Sequence, residues 1–163
     1  YRFVEMVAST KLPLIISIGI DFPRDGIEKI LDITYKHGNL LTLLHCNNAY
    51  PTPIFDSNLK TINFLKDICG SAGLSDHTTS VVIPSIAVAI GANTIEKHFT
   101  LDKTLDGPDH AFALDPEELK QMVTNIRDTE ISLKTRGNSL TKSEKPFVVG
   151  KRSIVSNQKI KNA

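Results

Sequence analysis

Four short apolar runs, Leu14 to Ile16, Leu40 to Leu44, Ser71 to Leu74 and Thr94 to Phe99, recur along this chain at intervals of roughly 23 to 31 residues. Stretches with helical spacing separate them. Ile27, Ile30, Leu31 and Thr34 mark one apolar stripe that ends at Gly38, and Leu59, Ile62, Leu65 and Ile68 mark another that ends at Gly70. A segment of small residues from Val81 to Ile90 closes at Gly91. The best-signalled helix runs from Pro116 to about Leu133, with Asp115 as N-cap, Pro116 at the first helical position and Glu118 completing a capping box. Phe3, Val4 and Val7 have the spacing of a helix tail. Strands that alternate with helices in this way predict an α/β protein with a parallel sheet. Two architectures satisfy the pattern: a doubly wound sheet, with one crevice at a switch point, and a barrel, in which every strand delivers residues to a common mouth.

The residues at the end of each apolar run favour the barrel. All four runs end in polar groups: Ser17, then His45 with Asn48, then Ser75 with His77, then Glu96 with His98. In a barrel these ends converge. The stretch Gly73 to Asp109 (GLSDHTTSVVIPSIAVAIGANTIEKHFTLDKTLDGPD) places His77 and His98 just beyond two successive strands. Neighbouring parallel strands lie about 5 Å apart, so both imidazoles could reach one ion. A histidine at a strand end is otherwise a satisfied structural group. A full barrel takes about 250 residues, so four units amount to half of one.

Composition excludes several classes. Nineteen basic against 18 acidic side chains leave almost no net field to attract nucleic acid or anionic lipid. The basic end, Lys151 to Lys161, lacks the interleaved aromatics of a nucleic-acid surface. No apolar stretch approaches the roughly 20 residues of a membrane span, and no signal peptide is visible. Two cysteines, Cys46 and Cys69, make no disulfide framework and suit a cytoplasmic protein. The chain opens at Tyr1 inside a helical pattern and ends abruptly after Lys161, which leads us to expect a piece of something longer. The polar stretch from Thr135 to Lys145 reads as a linker, after which Phe147 to Val149 and Ser153 to Val155 begin a separate small unit.

The segments LLHCNNAYPTP, GLSDHT, AVAIGANTIEKHFTLD and GPDHAFALDPEEL, in this order and spacing, resemble the N-acetylneuraminate synthase family over almost the whole chain. That family condenses phosphoenolpyruvate with an N-acetylated hexosamine such as N-acetylmannosamine to make sialic and related nonulosonic acids. The resemblance implies that residues 1–134 are strands five to eight of a (β/α)8 barrel. Residues 135–150 would then be a linker, and 151–163 the first strand of a truncated antifreeze-like domain.

The resemblance also implies roles. His77 and His98 match the two protein ligands of a divalent metal, manganese above all, with magnesium or cobalt as alternatives. Two neutral imidazoles leave positions open for water and for a sugar aldehyde. Ser17 and Ser75 match serines that hydrogen-bond phosphoenolpyruvate, although the family's Ser-Thr-Gly-Met reads Ser17-Ile18-Gly19-Ile20 here, and Ser17 is almost as well explained as a turn residue. Asn48 and Tyr50 match positions that contact phosphoenolpyruvate and the sugar. Asp109 matches a carboxylate that binds sugar hydroxyls, although an aspartate after Gly-Pro also suits a plain turn. Asp76 and Glu96 are candidate outer partners of the histidines, or ordinary ion-pair partners. His45 and Cys46 suit packing, and Lys97 and Lys103 solvated or paired charges.

In the implied reaction, C3 of phosphoenolpyruvate attacks the open-chain aldehyde, water adds at C2 and phosphate leaves. The family's general-base glutamates and phosphoenolpyruvate-binding lysines belong to the other barrel half. An arginine reaches the sugar from the partner subunit of a homodimer. These 163 residues alone should therefore be inactive. Three other readings stand beside this one. One is a related phosphoenolpyruvate-dependent aldol-type synthase with a phosphorylated acceptor, whose cluster of basic residues the strand ends lack. Another is a non-catalytic fragment with an open sheet edge. The third, a nucleic-acid role for the basic end, lacks interleaved aromatics to support it.

Overall fold

The computed structural model describes residues 1–20 and 23–158. They divide into two compact units, Tyr1–Leu133 and a second that begins at Lys134. In the first unit the chain runs α1 (Arg2–Ala8), β1 (Leu14–Ile18), α2 (Arg24–His37), β2 (Leu41–Cys46), α3 (Thr61–Cys69), β3 (Ala72–Asp76), α4 (Ile83–Ala89), β4 (Thr94–Lys97) and α5 (Pro116–Ser132). Each predicted element is present, with shifted ends. The second and third strands run on to Cys46 and Asp76 because parallel pairing continues there, with Cys46 opposite Ser75 and Asp76 opposite Lys97. Phe99 lies beyond β4 and pairs only as an isolated bridge with Leu114.

The sheet is wholly parallel, with its strands in sequence order β1-β2-β3-β4. A doubly wound sheet reverses direction at its switch point. No reversal occurs among these four strands, which is the order that successive strands of a barrel would have. One face carries the helices, where Leu43, Ala72 and Leu74 of the sheet meet Ile27 and Ile30 of α2, Ile62 and Leu65 of α3, and Ile83 and Ala87 of α4. Alternation along each strand sends the next residues to the opposite face. The β1 edge, by contrast, is uncovered: Ile15 is 59% exposed and borders an apolar groove with Phe3, Val4 and Val7.

Helix ends follow the local chemistry. Gly38 and Gly70 end α2 and α3 in the left-handed region, at φ 76° and 79°, where a side chain would be strained. At α5, Asp115 Oδ1 accepts the Glu118 N–H at 2.9 Å while Glu118 Oε2 accepts the Asp115 N–H at 3.0 Å. The same Glu118 oxygen holds Lys103 at 2.5 Å. Leu114, Met122 and Ile126 form a second apolar cluster, packed with Val81 and Val88.

In the second unit, Pro146 opens a 3-10 turn, Lys145–Gly150, that takes in Phe147 to Val149. Arg136 and Glu144 pair at 3.0 Å. The strand expected from residue 151 onward does not form among the described residues of this unit. An extended segment needs a neighbour for its backbone hydrogen bonds, and none runs beside it there. Residues 159–163, the remainder of the expected small domain, lie outside the described residues.

Candidate active site

Strand register decides which side chains gather at the C-terminal edge of the sheet. Ser75 lies opposite both Cys46 and Glu96, and Asp76 opposite Lys97. Successive residues face opposite sides, so two cross-strand pairs form back to back. On one side Ser75 Oγ donates to Glu96 Oε1 at 2.6 Å. On the other, Lys97 Nζ lies 2.7 Å from Asp76 Oδ2, with the two side chains only 4% and 2% exposed. His77 and His98 stand one residue beyond this second pair. Ser75, His77, Glu96, Lys97 and His98 line a hollow of about 270 Å3.

The histidine rings belong to an aromatic cluster. Their centroids are 5.3 Å apart, with Tyr50 packed on His77 at 4.2 Å and Phe112 against His98 at 5.1 Å. His77 is buried, and its Nδ1 lies 2.6 Å from the Asn47 carbonyl oxygen. A carbonyl only accepts, so the neutral ring carries its hydrogen on Nδ1 and keeps the Nε2 lone pair free. The Thr52 N–H donates to the His77 carbonyl at 2.9 Å, which ties the loop after β2 to the end of β3. His98 Nδ1 is 3.7 Å from Asp109 Oδ2, beyond hydrogen-bond reach.

The residues named from sequence thus separate into two groups. His77, His98, Ser75, Tyr50 and Asp109 come together. Ser17 and Asn48 stay on the β1 side: Ser17 is exposed, level with Leu44 and Gly73 and therefore one side-chain row deeper than Ser75. Asn48 Oδ1 accepts the Ile20 N–H at 3.0 Å and sits where a Cβ on Gly19 would fall. Among the described residues its amide N–H groups meet no acceptor. Neither Asp76 nor Glu96 reaches a histidine, and the ion-pair alternative holds for Asp76. Asp76 binds Lys97 and Glu96 binds Ser75, while His77 takes the Asn47 carbonyl and His98 faces Asp109. Lys97, read as a solvated or paired charge, is a buried one. Phe112 was not singled out from sequence; its place in GPDHAF, two residues after His110, was the available signal. His45 packs as expected, its Nε2 2.8 Å from the Ser57 carbonyl oxygen.

The donor set suits a borderline divalent ion. Two imidazoles on one ion, at metal–nitrogen distances of about 2.1 Å, place their ring centres roughly 4.5–6.5 Å apart, and the observed 5.3 Å falls in that range. Among the described residues no three His, Cys, Asp or Glu side chains close on a common point, so any such ion would keep most positions for water and substrate.

Burial pushes the Cys46 thiol up, and the Glu96 charge adds to this while a hydrogen bond with Ser75 opposes it. The native thiol is therefore expected to react with iodoacetamide at pH 8 at least tenfold more slowly than after denaturation, as measured by peptide mapping. Equal rates would show that Cys46 is open to solvent.

A parallel α/β sheet with histidines, a serine and carboxylates at the C-terminal ends of its strands defines a class of enzyme-like scaffold with its site at the strand ends. Comparison with known proteins gives the family: the model of the NeuB family matches residues 1–138, and the chain belongs to that family. It is 41% identical over 158 residues to the N,N'-diacetyllegionaminic acid synthase of Legionella pneumophila, a match covering 93% of this chain and 44% of the relative. It is 43% identical over 134 residues to a pseudaminic acid synthase of Campylobacter jejuni, covering 81% of this chain and 39% of that one. Among solved structures, the N-acetylneuraminic acid (sialic acid) synthetase of Leptospira borgpetersenii superimposes with a TM-score of 0.79 at 34% identity, over 91% of this chain and 52% of that one. The chain spans about half the length of the curated relatives it matches. No helix among the described residues is long and apolar enough to cross a membrane.

Proposed function

We propose that this chain is the C-terminal half of the barrel of a nonulosonic acid synthase, an enzyme that joins phosphoenolpyruvate to an N-acetylated hexosamine and releases phosphate. The observation that carries the reading is the His77–His98 pair, its rings 5.3 Å apart and His77 presenting a free Nε2, within a chain whose relatives are synthases of sialic, legionaminic and pseudaminic acids. His77 and His98 would hold a divalent ion, manganese in the first instance, which when bound supplies Lewis acidity toward the aldehyde oxygen of the open-chain sugar.

The remaining residues bind, orient and shield. Ser75 has a single hydroxyl proton and gives it to Glu96; turning that proton toward phosphoenolpyruvate requires the hydroxyl to leave Glu96, so substrate binding and the Ser75–Glu96 bond are coupled. Asn48 offers its amide N–H groups from the β2 end, and Ser17 adds a hydroxyl from deeper in the sheet. Asp109, 56% exposed beside His98, is placed to accept sugar hydroxyls. Tyr50 and Phe112 wall the histidines and keep bulk water from the reacting carbons. The expected homodimer and the residues 1–134, 135–150 and 151–163 as barrel half, linker and start of an antifreeze-like domain belong to the same proposal.

Phosphate release from phosphoenolpyruvate and N-acetylmannosamine, or a diacetamido hexose, by the protein that carries this chain tests the reading. Activity with manganese should fall about 100- to 1,000-fold in His77→Ala and in His98→Ala, on the order of the loss of a preorganised electrostatic group. The isolated 163 residues should show none. Full activity in either histidine variant would overturn the assignment.

A further inference from the structure

We propose that the buried Asp76–Lys97 pair is a brace that sets the spacing of His77 and His98, and that both residues are positioning residues for the site. The inference rests on where the pair sits and how completely it is bonded. Asp76 and Lys97 are register partners on β3 and β4, each immediately preceding one of the two histidines. Lys97 Nζ donates to Asp76 Oδ2 at 2.7 Å and also to the Thr78 carbonyl on the far side of His77. Asp76 Oδ1 accepts the Thr78 N–H at 2.9 Å, and its Oδ2 accepts the Thr78 hydroxyl at 3.2 Å. The backbone on both sides of His77 is therefore tied to a side chain of β4, one residue from His98.

Stability alone does not account for the pair. Burying two charges costs as much as their attraction returns, and apolar side chains of similar volume often serve the fold as well or better. An apolar pair would pack the two strands together, but it would not bind the Thr78 carbonyl, N–H and hydroxyl. Those three bonds fix the turn after β3 and hence the direction in which His77 leaves the strand. The neighbouring Ser75–Glu96 pair, on the opposite face, has no bond to this turn. Groups that orient a metal-binding side chain typically affect affinity 10–100-fold.

The test compares wild type with the double variant D76L/K97M in the protein that carries this chain, using two readouts. One is manganese affinity by calorimetry, which rests on the proposed metal site. The other, independent of it, is the metal-free NMR signal of the His77 and His98 rings. The double variant should fold, lose at least tenfold in manganese affinity, and show the His77 Nδ1–H signal broadened or shifted away from its hydrogen-bonded position. Lys97→Arg, which keeps a charged donor toward Asp76 and Thr78, should recover most of the affinity. A folded double variant with wild-type affinity and unchanged histidine signals overturns the brace. Failure of the wild type to bind manganese removes the metal-site reading instead, and the ring signals then decide the brace alone. Should D76L/K97M not fold, D76N/K97M, which retains an acceptor for the Thr78 N–H, is read by the same criteria.

Discussion

Asp76→Ala, made in the protein that carries this chain, is expected to lower the free energy of unfolding by about 3–5 kcal/mol, the range for a buried charge stripped of its partner. The substitution leaves the Lys97 ammonium 4% exposed, with the Thr78 carbonyl as its remaining acceptor, and removes the acceptor of the Thr78 N–H and hydroxyl as well. Lys97→Met should cost less. The Asp76 carboxylate would still accept two hydrogen bonds from Thr78. Urea denaturation of both single variants and of the double variant D76A/K97M closes the cycle. The double variant should be more stable than Asp76→Ala, because no unpaired charge is left. A cost below about 1 kcal/mol for Asp76→Ala would mean that water reaches Lys97 freely and that the pair is not sealed.

Gly73→Ala is expected to cost about 3 kcal/mol, the upper end of the range for overpacking. Gly73 is the second residue of β3, and a Cβ there would fall 2.1 Å from the Thr94 carbonyl oxygen, 2.9 Å from the carbon that bears it and 2.7 Å from Leu44 Cδ2. The leucine can turn aside. The β4 backbone cannot, because its ladder to β3 holds it in register. The displacement would also pass along β4 to His98, so activity should fall with stability. Gly19→Ala makes a useful contrast. Its Cβ would come within 1.9 Å of Asn48 Oδ1, the end of a side chain that can rotate away, so the loss is confined to the Ile20 N–H bond. The urea midpoints of the two variants measure the difference. A Gly73→Ala protein as stable as wild type would show that β3 and β4 are less closely apposed than described.

Elements with a strong local signal could be read directly. Asp115, Pro116 and Glu118 act within one turn of helix, and the capping box they announce is present. Gly38 and Gly70 stop their helices for a reason confined to their own backbone angles. The strands were found, but their ends were not, because pairing with a neighbour carries β2 to Cys46 and β3 to Asp76 whatever the polarity of His45 or Ser75. In the site, the meeting of His77 and His98 was legible because each follows a strand of one parallel sheet by a fixed small number of residues. Of the two roles open to Asp76 and Glu96, outer partner of a histidine or ion-pair partner, Asp76 takes the second. Asp76 leaves β3 on the side opposite His77 and meets Lys97, its register partner on β4, whereas Glu96, two residues before His98 and on the same side, is held by Ser75 opposite it on β3.

The amino-acid sequence by itself determined the order of strands and helices, the helix caps, the parallel sheet and the delivery of two histidines to one edge. All of these depend on periodicity, turn chemistry and chain length, which act over a few residues. The tertiary structure alone decided that Lys97 is buried against Asp76, that Ser75 is bound to Glu96, that Asn47 rather than a carboxylate holds His77, and that Phe112 closes against His98. The three hydrogen-bonded contacts join residues 21 to 30 positions apart. Which groups meet across such distances depends on the register of neighbouring strands and the return path of loops, and a shift of one residue would send every side chain to the other face.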